Sequence, residues 1–288
     1  MPPPHGTPAL SNGWPLEQLS VNVSMIFREL PLTARPRAAR SAGFEAIEMW
    51  WPFPGEPAPP SGSIHELCAA IEDAGVALIS LNLDTGDRHA GDRGLMCRAE
   101  HRARLRENAS TVAEIARRLG CERINALYGN ISTPGPTSEE RRNALEAYAF
   151  VCALAAEVGA TVMIEPINTP DAPNYGIRSV DDALSLSHEI AAMCGISPGV
   201  LLDVYRLDLP QPALDGAILT AGEAIMHVQL ADRPGRHEPG TGHIDFERVF
   251  ASLRSAHYAS HIGLEYEPTI ESGKSLRFAR GRIASHPA

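Results

Sequence analysis

Four short apolar segments of the chain each end in a side chain that carries a potential oxygen ligand. These side chains are Glu165, Asp203, Gln229 and Glu265. Carboxylate and amide oxygens are the ligands that Mg²⁺ and Mn²⁺ prefer, whereas zinc sites usually include histidine or cysteine. One acidic residue after a strand is often an ordinary loop residue, but four such positions in succession favour a shared site. Three carboxylates brought together would repel one another, and a divalent cation would relieve that repulsion.

These segments belong to an alternation of short apolar runs and longer segments of helical period, which is typical of βα units and a parallel sheet. We predict eight strands, at Leu19–Val23, Ala46–Met49, Ala77–Asn82, Arg123–Leu127, Thr161–Glu165, Val200–Asp203, Ala224–Gln229 and His261–Tyr266. We predict helices at Leu32–Ala42, Ser63–Ala74, Ala99–Leu119, Ser138–Val158, Ser179–Ala192, Pro212–Ala221 and Phe246–Ala256. Eight units favour closure, so the expected fold class is α/β, a single-domain (β/α)₈ TIM barrel whose strands all point to one mouth.

A doubly wound open sheet can be built from the same alternation of elements. No Gly-x-Gly-x-x-Gly motif follows the first predicted strand, and the chain contains no Walker sequence, so we favour the barrel. The first 15 residues are rich in proline and glycine. We therefore expect residues 1–16 to form a flexible N-terminal arm and residues 17–288 to form the barrel.

The composition indicates a globular protein that acts on a small molecule. The 288 residues include 35 acidic and 25 basic side chains, and the resulting net charge of −10 would repel nucleic acid and anionic membrane surfaces. The 5 cysteines are widely spaced without a Cys-x-x-Cys pair, which argues against a disulfide framework or a thiolate zinc site. Neither a signal peptide nor a membrane-spanning apolar run is evident. We expect a soluble, cytoplasmic protein with a small-molecule substrate and no nucleic-acid or membrane partner.

Four segments lie at or near the candidate residues: IEPINT (164–169), HVQLAD (227–232), PGRHEPGTG (234–242) and GLEY (263–266). They resemble the corresponding segments of hydroxypyruvate isomerases, a family of xylose isomerase-like barrels related to the ketose 3-epimerases. The resemblance extends from about Leu19 to Pro268, and its most specific part is the stretch from Arg236 to Gly242.

The resemblance implies a ligand set and a reaction. Mg²⁺ or Mn²⁺ would be bound by Glu165, Asp203, Gln229 and Glu265. Glu165 and Glu265 would also be the acid/base pair on opposite faces of the substrate. The implied reaction is the isomerisation of hydroxypyruvate to tartronate semialdehyde (2-hydroxy-3-oxopropanoate), in which the metal stabilises an enediolate and a glutamate transfers a proton between neighbouring carbons. Such barrels are often dimers or tetramers, so the resemblance is compatible with a homo-oligomer.

Five further residues are candidate substrate ligands at the predicted mouth: Arg236, Asp171, Glu48, Arg206 and His237. Arg236 and Asp171 match substrate-binding positions of the family, and a guanidinium suits a carboxylate through a bidentate contact. The alternative for Arg236 is a solvated loop charge, and for His237 it is an ordering role within the loop. Glu48 ends the second predicted strand, where it would line the pocket. Arg206 replaces a histidine that is usual in the family, which suggests a longer or more acidic substrate than hydroxypyruvate.

Three other features allow more than one interpretation. His227 lies two positions before Gln229, so it faces the same way one layer deeper, which favours a packed barrel residue over a metal ligand. Trp50 and Trp51 are equally consistent with a pocket wall, a barrel cap or a subunit interface. The polar segment 84–94, which contains three glycines, predicts a mobile lid or a substrate-binding loop.

Other functions compete with this isomerase hypothesis. A 3-epimerase or isomerase of a larger sugar or sugar acid would use the same proton shuttle. A metal-dependent endonuclease would need more histidine ligands and a basic surface, which the net charge of −10 opposes. A non-catalytic binding module would not require the glutamate pair Glu165 and Glu265.

Overall fold

A computed structural model describes residues 14–132, 134–170 and 172–280, and it confirms the predicted (β/α)₈ TIM barrel. The eight strands are parallel and close in sequence order, because β1 pairs with both β2 and β8. The strands are β1 Leu19–Asn22, β2 Ala46–Met49, β3 Ala77–Asn82, β4 Arg123–Asn125, β5 Thr161–Ile164, β6 Gly199–Asp203, β7 Ile225–Leu230 and β8 Ile262–Leu264.

Helices surround this barrel in alternation with the strands. They are α1 Arg35–Ser41, α2 Ser61–Ala74, α3 Arg102–Leu119, α4 Ser138–Ala156, α5 Val180–Cys194, α6 Gln211–Ala221, α7 Phe246–Ser255, α8 Ser272–Ser275 and α9 Arg277–Arg280. The predicted helices are present with shifted ends. The short helices α8 and α9 were not predicted, because four residues are too few to show a helical period.

The helices bury an apolar stripe against the outside of the strands, whereas the inside of the barrel is largely polar. In α2, for example, Ile64, Leu67, Ile71 and Ala74 are buried at helical spacing. Helix ends are set locally: α3 ends at Gly120, whose φ of 65° lies in the left-handed region that favours glycine. This scaffold places the carboxyl ends of all eight strands at one mouth.

The predicted N-terminal arm is described only at its end, because residues 1–13 lie outside the described residues. Trp14 is buried, with its ring centroid 6.0 Å from that of Phe250 and 5.8 Å from that of Tyr258. Its indole N–H donates to the carbonyl of Ser260 at 3.0 Å. Residues 14–16, which we assigned to a flexible arm, therefore begin the packed structure, because burial of an indole stabilises this segment despite its proline-rich context.

Two other expectations from the sequence concern disulfide bonds and membrane-spanning helices. All 5 cysteines of the chain lie in the described residues, and each is a free thiol. Within the same residues, no helix combines the length and the apolarity that crossing a bilayer requires.

Candidate active site

The four predicted metal ligands all lie at the carboxyl-terminal mouth of the barrel. Asp203 is the last residue of β6 and is in register with Gln229 of β7, while Glu165 and Glu265 directly follow β5 and β8. Their side chains are nearly inaccessible, with 0–5% of each residue exposed. The barrel therefore brings three carboxyl groups and one amide together in a region of low dielectric constant.

The pKa values of the two glutamates reflect this crowding. Burial and the neighbouring Asp203 raise the pKa of Glu165 to about 7, although Arg206 and Asn125 oppose the rise. Burial raises the pKa of Glu265 to about 8 against the opposing effect of Arg236, and Asp203 and Glu165 add to the rise. The carboxyl groups thus disfavour one another's charge, as acids that share one pocket must.

Two asparagines hold the two glutamates in place. Asn125, at the end of β4, donates to Glu165 Oε2 at 2.7 Å, and Asn22, at the end of β1, donates to Glu265 Oε2 at 3.0 Å. The indole N–H of Trp50 donates to Glu265 Oε1 at 3.2 Å. Neither asparagine was predicted from the sequence, because the predicted first and fourth strands extended past them to Val23 and Leu127, so their strand-end positions were not apparent.

Arg236 lies directly against the acids. Its Nη2 donates to Asp203 Oδ2 at 3.2 Å and also to Glu265 Oε1. Its guanidinium carbon lies 5.4 Å from the ring centroid of Tyr205 and 5.9 Å from that of Trp50. Arg236 is 9% exposed, and its Nε is buried without a hydrogen-bond partner among the described residues. The predicted position at the mouth is therefore correct, and the side chain is not a solvated loop charge.

The loop that carries Arg236 is organised by the carboxylate of Asp232. This carboxylate accepts hydrogen bonds from the backbone N–H groups of Arg233, Gly240, Gly242 and Ile244, at 2.8–3.1 Å. A Cβ at Gly242 would lie 1.9 Å from the carbonyl oxygen of Arg233, so the loop requires glycine there. These contacts fix the backbone around Arg236, which has a φ of 60° in the left-handed region.

The remaining substrate-ligand candidates differ in their placement. Arg206 is buried beside the acids, with its Nη1 donating to Thr169 Oγ1 at 3.2 Å and its Nε 4.0 Å from Asp203 Oδ2. The imidazole of His237 donates from Nδ1 to the carbonyl of Glu267 at 2.8 Å, a contact that ties its loop to the segment after β8. Asp171 lies outside the described residues.

Glu48, the fifth candidate, belongs to a layer beneath the mouth rather than to its wall. It is 1% exposed, and its Oε1 accepts hydrogen bonds from Gln229 Nε2 at 2.7 Å and Asn22 Nδ2 at 3.1 Å. Its Oε2 is paired with His227 Nε2 and accepts from the hydroxyl of Ser20 at 3.3 Å. Since every contact of this carboxylate is to a buried side chain, its position favours holding its neighbours over touching a substrate. His227, which is fully buried in this layer, packs inside the barrel as predicted.

The donors at the mouth fit a hard divalent cation in their chemistry. Because Gln229 gives its Nε2 to Glu48, its Oε1 is left buried and without a hydrogen-bond partner among the described residues. Such an oxygen beside three carboxyl groups is suited to Mg²⁺ or Mn²⁺. In the described part of the chain, however, no three His, Cys, Asp or Glu side chains are grouped closely enough to hold a metal as they stand. Arg236 lies between Asp203 and Glu265 and provides positive charge there.

Trp50, Trp51 and the segment 84–94 also have defined positions. The guanidinium of Arg88, at the centre of this segment, stacks on Trp50 with its carbon 4.1 Å from the ring centroid. The indole of Trp51 instead donates to the carbonyl of Glu56 at 3.0 Å and packs against Phe53. Trp50 therefore forms a wall of the site, whereas Trp51 orders its own loop.

Comparison with known proteins identifies the family of the chain. Residues 36–282 match the family model of the xylose isomerase-like TIM barrel. A Streptomyces coelicolor protein named "Putative hydroxypyruvate isomerase" is 39% identical over 89% of this chain and 92% of its own length. A 2-oxo-tetronate isomerase of Cupriavidus necator is 30% identical over 91% of this chain and 96% of its own. A solved structure named as a family 2 AP endonuclease of Brucella melitensis superposes with a TM-score of 0.80 at 27% identity, covering 92% of this chain and 99% of that one.

Proposed function

The chain belongs to the xylose isomerase-like TIM-barrel family and is an isomerase, and we propose that it interconverts the aldose and ketose forms of a short hydroxy-oxo acid. The proposed reaction is hydroxypyruvate to tartronate semialdehyde. The observation that carries the proposal is the convergence of Glu165, Asp203 and Glu265 at one buried mouth with Gln229, whose Oε1 has no hydrogen-bond partner in the part of the chain that the structure describes.

Proton transfer is the role that we assign to Glu165 and Glu265. In the metal-free protein, burial and neighbouring carboxylates raise their pKa values to about 7 and about 8, and a bound cation would favour the charged forms that accept a proton. One of them removes a proton from the hydroxymethyl carbon of hydroxypyruvate, and a proton is delivered to the neighbouring carbon. The hydroxyl proton passes to the former carbonyl oxygen, so the hydroxymethyl carbon becomes the aldehyde. The hydrogen bonds from Asn125 and Asn22 hold the two carboxyl groups in position for this transfer.

Charge stabilisation is shared between Arg236 and the metal that we propose. Arg236 donates to Asp203 and Glu265 and keeps its buried Nε available, so it can donate to a substrate oxygen that gains negative charge. When bound by the four oxygen donors, Mg²⁺ or Mn²⁺ would supply further positive charge and orient the carbonyl and hydroxyl oxygens of the substrate. The buried position of all these groups strengthens their electrostatic interactions with a bound substrate.

The Cupriavidus necator relative favours a second candidate substrate. Its name refers to a 2-oxo-tetronate, a four-carbon acid, and an acid of that length would be processed by the same glutamate pair. The Brucella melitensis structure carries an endonuclease name, but the net charge of −10 and the carboxyl-rich mouth of this chain oppose binding of a phosphate backbone. We therefore rank the three-carbon acid first, the four-carbon acid second, and nucleic acid well below both.

Deuterium exchange tests the proposal directly. Purified protein is incubated with Mn²⁺ and hydroxypyruvate in D₂O, and the hydroxymethyl protons are followed by ¹H NMR. We expect their loss together with formation of tartronate semialdehyde, and we expect EDTA to abolish both. If hydroxypyruvate does not exchange while a ketose such as fructose does, the chain is an epimerase or isomerase of larger sugars. Faster turnover of a 2-oxo-tetronate would reverse the order of the two acids.

A further inference from the structure

A further arginine at the mouth, Arg88, has no role in the reaction proposed for Glu165, Glu265 and Arg236. It lies in the segment 84–94 after β3, and its guanidinium forms no hydrogen bond or ion pair with the residues that the structure describes. Its contact is the face of Trp50, whose indole N–H donates to the carboxyl group of Glu265. The indole of Trp50 therefore connects Arg88 to Glu265, to which we assign proton transfer.

The segment around Arg88 is held at its base and at its tip. At the base, Asp84 Oδ2 accepts from Arg104 Nε at 2.6 Å and its backbone N–H donates to Asn108 Oδ1 at 2.8 Å. At the tip, Asn130 Nδ2 donates to the carbonyl of Gly91 at 2.8 Å. These contacts favour a preorganised substrate-binding loop over a mobile lid, and preorganisation lowers the entropic cost of binding.

Several cations share this side of the mouth. Arg236 faces the same indole ring as Arg88, with its guanidinium carbon 5.9 Å from the ring centroid. Burial and the positive charges of Arg93, Arg206 and Arg236 lower the pKa of Arg88. An anion placed between Arg88 and Arg236 would relieve this repulsion, and an arginine fork matches the two oxygens of a carboxylate.

We propose that Arg88 is a specificity-determining residue that binds the carboxylate of the substrate, with Trp50 as the platform beneath its guanidinium. The proposal rests on the proposed function, since it assumes a hydroxy-oxo acid as the substrate. Under this proposal, the two arginines at the mouth have different roles. Arg236 contacts the acids at the reacting end, and Arg88 selects an acid over a neutral sugar at the other end.

The test compares an acidic probe with a neutral one. Tartronate carries carboxylates on a three-carbon skeleton, and dihydroxyacetone is hydroxypyruvate with its carboxylate replaced by a hydroxymethyl group. In Arg88→Ala, we expect the Kd of tartronate for the Mn²⁺-loaded protein, measured by isothermal titration calorimetry, to rise about 10- to 100-fold. We expect the inhibition constant of dihydroxyacetone against hydroxypyruvate turnover to stay within about twofold of the wild-type value.

Two matched variants control for charge and for folding. Arg88→Lys keeps the positive charge but loses the planar fork, so it should recover only part of the tartronate affinity. Arg40→Ala removes an exposed arginine that pairs with Glu45 ahead of β2, and its tartronate affinity should equal that of the wild type. Unchanged tartronate binding in Arg88→Ala would overturn the inference. Equal weakening of tartronate and dihydroxyacetone would also overturn it, because that result indicates a disturbed loop.

The same experiment separates this inference from the proposed function. If the wild type isomerises hydroxypyruvate and Arg88→Ala binds tartronate equally well, the inference about Arg88 fails and the proposed function stands. If the wild type does not isomerise hydroxypyruvate but binds tartronate through Arg88, the proposed reaction fails and the anion-binding role stands.

Discussion

Glu48 and Glu265 are both nearly inaccessible to solvent, and the amide of Asn22 donates to both, yet their pKa values shift in opposite directions. Against the effect of burial, the electrostatic interaction with His227 and the hydrogen bonds from His227, Gln229 and Asn22 hold the pKa of Glu48 below its ordinary value. The pKa of Glu265 rises to about 8. Burial alone therefore does not decide the protonation of a carboxyl group in this barrel.

The difference lies in the partners of each group. The layer around Glu48 supplies a histidine, an amide and a hydroxyl that stabilise the carboxylate. The layer above it crowds Glu265 with Asp203 and Glu165, and one guanidinium lies between Glu265 and Asp203. The barrel thus favours the charged form of Glu48 beneath the mouth and disfavours that of Glu265 at the mouth, with the amide of Asn22 between them.

The strongest test of this division is Glu265→Gln. The variant keeps the shape of the side chain but cannot accept a proton, so we expect kcat for hydroxypyruvate to fall by roughly 10² to 10⁴-fold. Mn²⁺ binding, measured by calorimetry, should persist, because an amide oxygen remains as a ligand. Retention of more than a tenth of the wild-type kcat would remove Glu265 from the proton transfer.

Glu48→Gln should act through position rather than through proton transfer. An amide has one acceptor oxygen where the carboxylate has two, so it cannot accept from all four neighbours of Glu48 and fixes the orientation of the Gln229 amide less firmly. We expect Mn²⁺ affinity to weaken by roughly 10- to 100-fold, as for other groups that orient metal ligands. Ser20→Ala, which removes the longer 3.3 Å contact to the same carboxylate, is the control and should change the affinity little. Equal effects of the two variants would contradict the orienting role.

The pH dependence of stability should separate the two layers. The folded-state pKa values of Glu165 and Glu265, about 7 and about 8, exceed the ordinary 4.5, so the folded protein binds more protons than the unfolded chain between about pH 4.5 and 8. After EDTA treatment, Tm should therefore decrease by about 5 °C or more as the pH rises through this window. Glu48, with its lowered pKa, instead loses its contribution as the pH falls below 4.5.

Calorimetric scans at several pH values measure this effect. Glu265→Gln should flatten the decline of Tm above pH 4.5, because one of the two raised pKa values is removed. Restored Mn²⁺ should increase Tm most at the high-pH end of the window, where the acids are charged. A Tm that is constant between pH 5 and 8.5 in EDTA would show that the folded protein does not disfavour the charged forms of the acids at the mouth.

The smallest effect is expected from Trp50→Phe. Phenylalanine keeps an aromatic face for Arg88 but lacks the N–H that donates to Glu265 at 3.2 Å. Loss of one such hydrogen bond should reduce kcat by about 2- to 10-fold and leave the KM for hydroxypyruvate nearly unchanged. A larger rise in KM than fall in kcat would mean that Trp50 mainly contacts the substrate.

The positions of the acids at the mouth were more predictable from the sequence than those in the layer around Glu48. A barrel sends every strand end to one mouth, so the positions of Glu165, Asp203, Gln229 and Glu265 followed once the strands were recognised. The partners of Glu48 depend on the register between β1, β2 and β7, which single strands do not reveal, and Glu48 was therefore expected to line the pocket. The position of the Arg88 side chain could not be predicted, because it depends on loop contacts between residues distant in sequence, such as Asp84 with Arg104.

Gly263 of β8 marks a constraint that links two distant parts of the chain. A Cβ at this position would lie 2.2 Å from Glu48 Oε2 and 2.6 Å from Glu48 Oε1, and that carboxylate is buried and hydrogen-bonded on both oxygens. A barrel with an alanine or larger residue there must have dropped or displaced the acid of β2. The absence of a side chain two positions before the last glutamate is therefore a signature for finding other chains with the same inner layer.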